Sequence, residues 1–93
     1  MTMRELWDKQ MQDPDFYEYC IEMIPITSAA DAVLDARVAC DMTQKQLAKA
    51  SGVPRKTIRR LEDLDGDPRL STLHKLARAM GMTVRVTFEP LPE

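Results

Sequence analysis

The sequence predicts an all-α chain, a bundle of four to five helices with a helical extension before it and one β-strand after it. Three observations lead there. In several windows apolar residues recur at i, i+3, i+4 and i+7, the spacing that lays one stripe along a helix. Two short helical patterns meet at Ser51-Gly52 within the stretch Thr43 to Leu61, where glycine supplies the left-handed backbone that a tight turn needs. Only Met82 to Glu89 changes period, setting Val84, Val86 and Phe88 against Thr83, Arg85, Thr87 and Glu89 in the alternation of a strand.

The elements follow in chain order. Leu6, Trp7, Gln10 and Met11 suit one or two helical turns ending before Asp13-Pro14. Asp13 can cap a helix and Pro14 fits its first position, after which Phe16, Tyr19, Cys20 and Met23 form one stripe. Pro25 is expected to stop this helix after about ten residues. Thr27-Ser28 with Asp31 reads as a new start, the next helix running to Cys40 and burying Ala30, Val33, Leu34 and Val38. Two short helices come next, Thr43 to Ser51 and Pro54 to Leu64, and the run Asp63 to Pro68 ends the second with its acids in water. Ser71 caps a last helix through Met80, with Leu73, Leu76, Ala77 and Met80 on one face and Gly81 closing it. His74 lies off those positions and is expected in solvent.

Ninety-three residues, 44% apolar and 30% charged, suit one small soluble domain with an appendage. Cys20 and Cys40 lack C-x-x-C spacing and His74 has no partner cysteine, so no metal and no cofactor are expected. The opening residues lack the apolar run of a signal peptide, and no stretch approaches the roughly 18 apolar residues of a membrane span. The expectation is a cytoplasmic protein with reduced thiols. An enzyme is not expected, because there is one histidine, no glycine-rich phosphate loop and no nucleophile motif.

Charge is unevenly divided. The formal net charge is -2, yet residues 1–28 carry two basic against six acidic side chains, a net -4, while residues 29–93 carry eleven against nine, a net +2. Lys45, Lys49, Arg55, Lys56, Arg59 and Arg60 fall between Thr43 and Leu61 with no acid among them. On a helical wheel Arg55, Lys56, Arg59 and Arg60 share one arc of roughly 140°, opposite Ile58 and Leu61. A basic helix carried across a tight turn fits a DNA major groove, where arginine can bond bidentately to guanine. Arg55, Lys56 and Arg59 are the candidates for base edges on that ground.

The pattern T-Q-x-x-L-A-x-x-x-G-V-x-x-x-x-I-x-x-L-E, carried by Thr43, Gln44, Leu47, Ala48, Gly52, Val53, Ile58 and Glu62, resembles the helix-turn-helix of the Cro and phage-repressor (Xre) family. The likeness covers residues 30 to 81 and implies a lambda-repressor-like bundle at 29–81 that binds double-stranded operator DNA. It implies an ion pair between Arg37 and Glu62. It also places Arg55, Lys56 and Arg60 where relatives reach bases, and Gln44 where they buttress the recognition helix and touch phosphate. Thr43, Lys45 and Thr57 would serve phosphates. Two residues depart from the pattern: Asp41 stands where glycine is usual, and Pro54 where a capping Ser or Thr is usual.

The acidic aromatic extension at 1–28, the central motif and the terminal strand at 82–93 together are similar to HigA-type antitoxins. That likeness implies a small basic RelE/HigB-like ribonuclease toxin as partner, with Trp7, Phe16, Tyr17 and Tyr19 of the extension against it. The aromatic stripe has a second reading, packing back on the chain's own core. A lone strand needs a partner, and two readings stand for it as well. Val84, Val86 and Phe88 could pair with a second copy across a two-fold axis, giving a homodimer, or join the edge of a toxin's sheet. The alternative function is a stand-alone phage-like or chromosomal regulator whose extension belongs to the fold.

Overall fold

The computed structural model describes residues 1–92. Five helices follow one another, α1 (Met3–Met11), α2 (Pro14–Ala39), α3 (Gln44–Ser51), α4 (Arg55–Glu62) and α5 (Leu70–Ala79). No strand forms among the described residues. The molecule measures 47 × 26 × 21 Å, and its radius of gyration of 15.9 Å exceeds the value of about 12 Å for a compact chain of this length. The excess comes from α2, whose 26 residues extend for about 39 Å at 1.5 Å each.

The first helix starts at a capping box. Thr2 Oγ1 accepts from the Glu5 amide at 3.1 Å, and Glu5 Oε2 accepts in return from the Thr2 amide at 3.3 Å. Residues of α1 are not buried; it is held to α2 by Trp7 set edge-on against Phe16, ring centres 5.9 Å apart at 82°.

The second helix corrects the sequence expectation. Asp13 caps it, accepting from the Asp15 amide at 3.0 Å, and Pro14 occupies its first position, but Pro25 lies inside it and does not stop it. Proline there removes the hydrogen bond to the Ile21 carbonyl and costs about 3 kcal/mol. Against that loss stand Ala29, Ala30, Ala32, Ala36 and Ala39, the best helix former, and a downstream half anchored by buried Ala30 and Val33. Thr27 and Ser28 therefore sit mid-helix and begin nothing. One uninterrupted helix also fixes which residues face inward. Ala30, Val33 and Arg37 turn to the domain, whereas Leu34 and Val38 turn outward, Val38 being 62% exposed.

Asp41 takes the left-handed conformation at φ 55° after α2, and Leu64 takes it at φ 61° after α4. Both sit in Schellman closures, in which the amide of the left-handed residue and the amide after it turn back onto helix carbonyls. At α2 the Met42 amide reaches the Arg37 carbonyl at 3.1 Å, and at α4 the Asp65 amide reaches the Arg60 carbonyl at 2.8 Å. Gly52, φ 75°, ends α3 and donates to the Ala48 carbonyl at 3.0 Å. Pro54 precedes α4 and is not part of it, and Arg69, which makes no side-chain cap, precedes α5, leaving Ser71 in its first turn. Leu47, Ile58 and Leu76 are fully buried where α3, α4 and α5 meet, joined by Ala30 and Val33 of α2, Val53 of the turn and Leu61.

The tail corrects a second expectation. Past Met82 the tail makes no main-chain ladder among the described residues, because a strand needs a neighbour and the helices beside it offer none. The tail runs beside an open groove of about 1050 Å³ that Ile21, Pro25, Ala29, Leu73 and Met80 also line. Near its end the Tyr17 hydroxyl donates to the Pro92 carbonyl at 2.8 Å.

Leu47→Ala should cost about 2–5 kcal/mol, from lost burial and the cavity left behind. Thermal unfolding followed by circular dichroism should fall by roughly 10 °C or more, while outward-facing Val38→Ala should stay within about 0.5 kcal/mol.

Candidate nucleic-acid interface

The sequence of α4, RKTIRRLE, sorts itself on a helix. Ile58 and Leu61 go into the core; Arg55, Lys56, Arg59 and Arg60 are exposed on the other side, with Thr57 half-buried between. The orientation of that basic face is set at Glu62. Its Oε1 accepts from Arg37 Nε at 3.1 Å and from Arg37 Nη2 at 2.8 Å, and its Oε2 accepts from Gln44 Nε2 at 2.9 Å. Arg37 Nη1 donates to the Met42 carbonyl at 2.8 Å. One carboxylate thus joins the end of α2, the start of α3 and the end of α4, and Arg37 ties in the turn after α2. The Glu62 side chain is only 6% exposed and that of Arg37 16%, so these charge-assisted bonds are shielded from water and from salt.

Thr43 is a capping residue and not part of α3: its Oγ1 accepts from the Gln46 amide at 3.1 Å, and its own amide donates to Gln46 Oε1 at 2.8 Å. The T-x-x-Q signature was readable in the sequence. Capping uses the hydroxyl oxygen and leaves its proton free to reach a phosphate. Lys45 and Lys49 are exposed on α3.

The acids after α4 are exposed, as the sequence leads one to expect, and two of them also lie beside arginines. Asp63 Oδ2 lies 3.8 Å from Arg59 Nε, and Asp65 Oδ2 accepts from Arg60 Nε at 3.3 Å. The i, i+4 spacing of Arg59 and Asp63 signals the first pair; the second depends on the backbone turn at Leu64, which no periodicity reveals. Arg55 and Lys56 have no carboxylate partner among the described residues.

The remaining candidates lie away from this face. Trp7 and Tyr19 are exposed on the extension, while Phe16 and Tyr17 are half-buried, the former by Trp7 and the latter tied to Pro92. On the tail Val84 is half-buried, Val86 exposed and Phe88 99% exposed. Cys20 and Cys40 are free and half-buried. His74 is exposed beside a hollow of about 310 Å³ shared with Ser51, Lys75 and Arg78. Among the described residues no helix is long and apolar enough to cross a membrane.

The family described as helix-turn-helix matches residues 33–86, more than half of the chain. The chain belongs to the helix-turn-helix family. Within it the chain is of the Xre type and similar to HigA antitoxins. Two curated Mycobacterium tuberculosis relatives, from strains CDC 1551 / Oshkosh and ATCC 25618 / H37Rv, are each named Antitoxin HigA1. Each is 32% identical over 77 residues, which is 83% of this chain and 52% of the relative. This helix-turn-helix protein therefore spans about half the length of the curated relatives it matches. No solved structure matches it.

Glu62→Ala strands the Arg37 guanidinium in its shielded site and should cost about 3 kcal/mol. In a double-mutant cycle, adding Arg37→Ala should cost much less than the two single losses together. Additive losses measured by urea denaturation would show that the two side chains do not interact.

Proposed function

We propose that the chain is a sequence-specific, DNA-binding transcriptional repressor that acts as a homodimer in the cytoplasm. It carries out no chemistry, and it serves as the antitoxin of a type II toxin-antitoxin pair, neutralising a RelE/HigB-like ribonuclease and repressing its own operon. The observation that carries the DNA reading is the exposed basic face of α4, held by the shielded Arg37, Glu62 and Gln44 cluster at the end of the two-helix motif. A helix fixed in that way can enter a major groove with Arg55 and Lys56 leading, Arg59 and Arg60 following, and Thr43, Gln44, Lys45 and Thr57 on the flanking phosphates. One such helix reads only a few base pairs, so two copies are needed, spaced by one helical turn of DNA. The exposed tail, with Val84, Val86 and Phe88, is the contact proposed between them.

The antitoxin role is supported by the named relatives and by the charge of the extension, a net -4 over residues 1–28 from two basic and six acidic side chains. Exposed Trp7 and Tyr19 among those acids suit a basic protein surface. The second reading is the stand-alone regulator, favoured by the partners that Phe16 and Tyr17 already have within the chain.

Selection from a pool of random DNA duplexes should enrich one two-fold-symmetric motif. Arg55→Ala or Lys56→Ala should erase the preference at one position of each half-site, a discrimination of about 1–3 kcal/mol. Lys45→Ala should weaken all sequences alike and lower the salt dependence by about one ion. An equal loss for every sequence in Arg55→Ala would refute its base contact.

The native mass of gently purified protein should equal two chains plus a small basic polypeptide whose ribonuclease activity the chain suppresses. A bare dimer with the same DNA preference would favour the stand-alone regulator. Val86→Asp should yield monomers, and an unchanged dimer mass would move the contact away from the tail.

A further inference from the structure

The segment that ends α4 is tied twice to one arginine. Its backbone is fixed first: Leu64 turns into the left-handed region at φ 61°, which brings the Asp65 amide onto the Arg60 carbonyl at 2.8 Å. The Asp65 side chain then returns to the same residue, Oδ2 accepting from Arg60 Nε at 3.3 Å. Gly66, at φ 93°, closes the turn, and a side chain there would come within 3.7 Å of Arg60 Nη2. Asp63 stands toward Arg59 in a looser arrangement, 3.8 Å from its Nε.

These acids stand beside guanidinium groups that face the proposed DNA surface. Ordinary surface pairs contribute little to stability, about 0–1 kcal/mol, so the arrangement is poorly explained by folding alone. Its geometry points elsewhere. Arginine carries five N–H donors in a planar fork. A carboxylate on the Nε edge leaves the terminal Nη1 and Nη2 pair to meet guanine O6 and N7, and holding one edge restricts rotation about the long side chain. The same negative charge repels phosphate, the competing ligand of any arginine near DNA.

We infer that Asp65 is a specificity-determining positioning residue: it presents Arg60 to a guanine edge and turns it away from the DNA backbone. Asp63 plays the weaker counterpart for Arg59. The inference rests on the DNA-binding reading above and names the residues that sharpen it.

The test uses the intact chain in four forms, wild type, Asp65→Ala, Arg60→Ala and the double variant, each selected against a pool of random DNA duplexes and then titrated with enriched and unselected duplexes. Wild type should prefer guanine at the position that Arg60→Ala relaxes. Asp65→Ala should lose about tenfold of that preference while binding unselected duplex more tightly, and in the Arg60→Ala background it should change the preference no further. Because Asp65 is exposed, all four should melt alike. If Asp65→Ala tightens every duplex equally and keeps the guanine preference, the acid acts through net charge alone and the inference is overturned. If wild type enriches no sequence at all, the DNA-binding reading itself falls, and the positioning role with it.

Discussion

Two oxygens of Glu62 fix the geometry of the basic face of α4. Without them α4 would rest on the core through Ile58 and Leu61 alone, two adjacent contacts about which a helix of 8 residues could roll. Arg37 and Gln44 approach the carboxylate from different helices and remove that freedom. The arrangement is a costly one, since shielded charges are stabilising only while every partner is present. What it supplies is direction. The basic side chains of α4 are presented at a fixed angle to the turn at Gly52 and to the start of α3.

Much of this was readable from residue types. Ile58 and Leu61 sit opposite the four basic residues of α4, and the core residues Leu47 and Leu76 follow from the same helical period. Asp13-Pro14 marked the start of α2, and the tolerance of aspartate for left-handed backbone foretold Asp41. The differences have physical reasons. Pro25 is a local signal, and a local penalty of about 3 kcal/mol is smaller than the sum of downstream packing and helix propensity that carries α2 through it. Val38 was missed for another reason: Arg37, its neighbour, turns inward to Glu62 and carries Val38 to the outer flank of the stripe. The strand pattern of the tail states a capacity to pair, which becomes structure only where a neighbour exists. Asp65 was hidden differently: its partner is set by a turn, and turns bring together residues at spacings no periodic reading examines.

Electrostatically the chain is two objects. A net charge near zero conceals an acidic arm and a basic helix face, and both act over distances shorter than about 8–10 Å in physiological salt. An anionic and a cationic partner could therefore be held at once by a chain of small overall charge, each sensing mainly the surface next to it.

Pro25 also divides the molecule energetically. All the buried positions of α2 follow it, Ala30 and Val33, and α1 contains none. The hairpin made by α1 and the first half of α2 is thus joined to the domain by a helix lacking one internal bond at the junction, and by the Tyr17 hydroxyl at the tail. A segment with no buried side chain is expected to open at a fraction of the global free energy. Its amides should exchange with solvent long before those of the core, and its folding should be completed by whatever surface covers it.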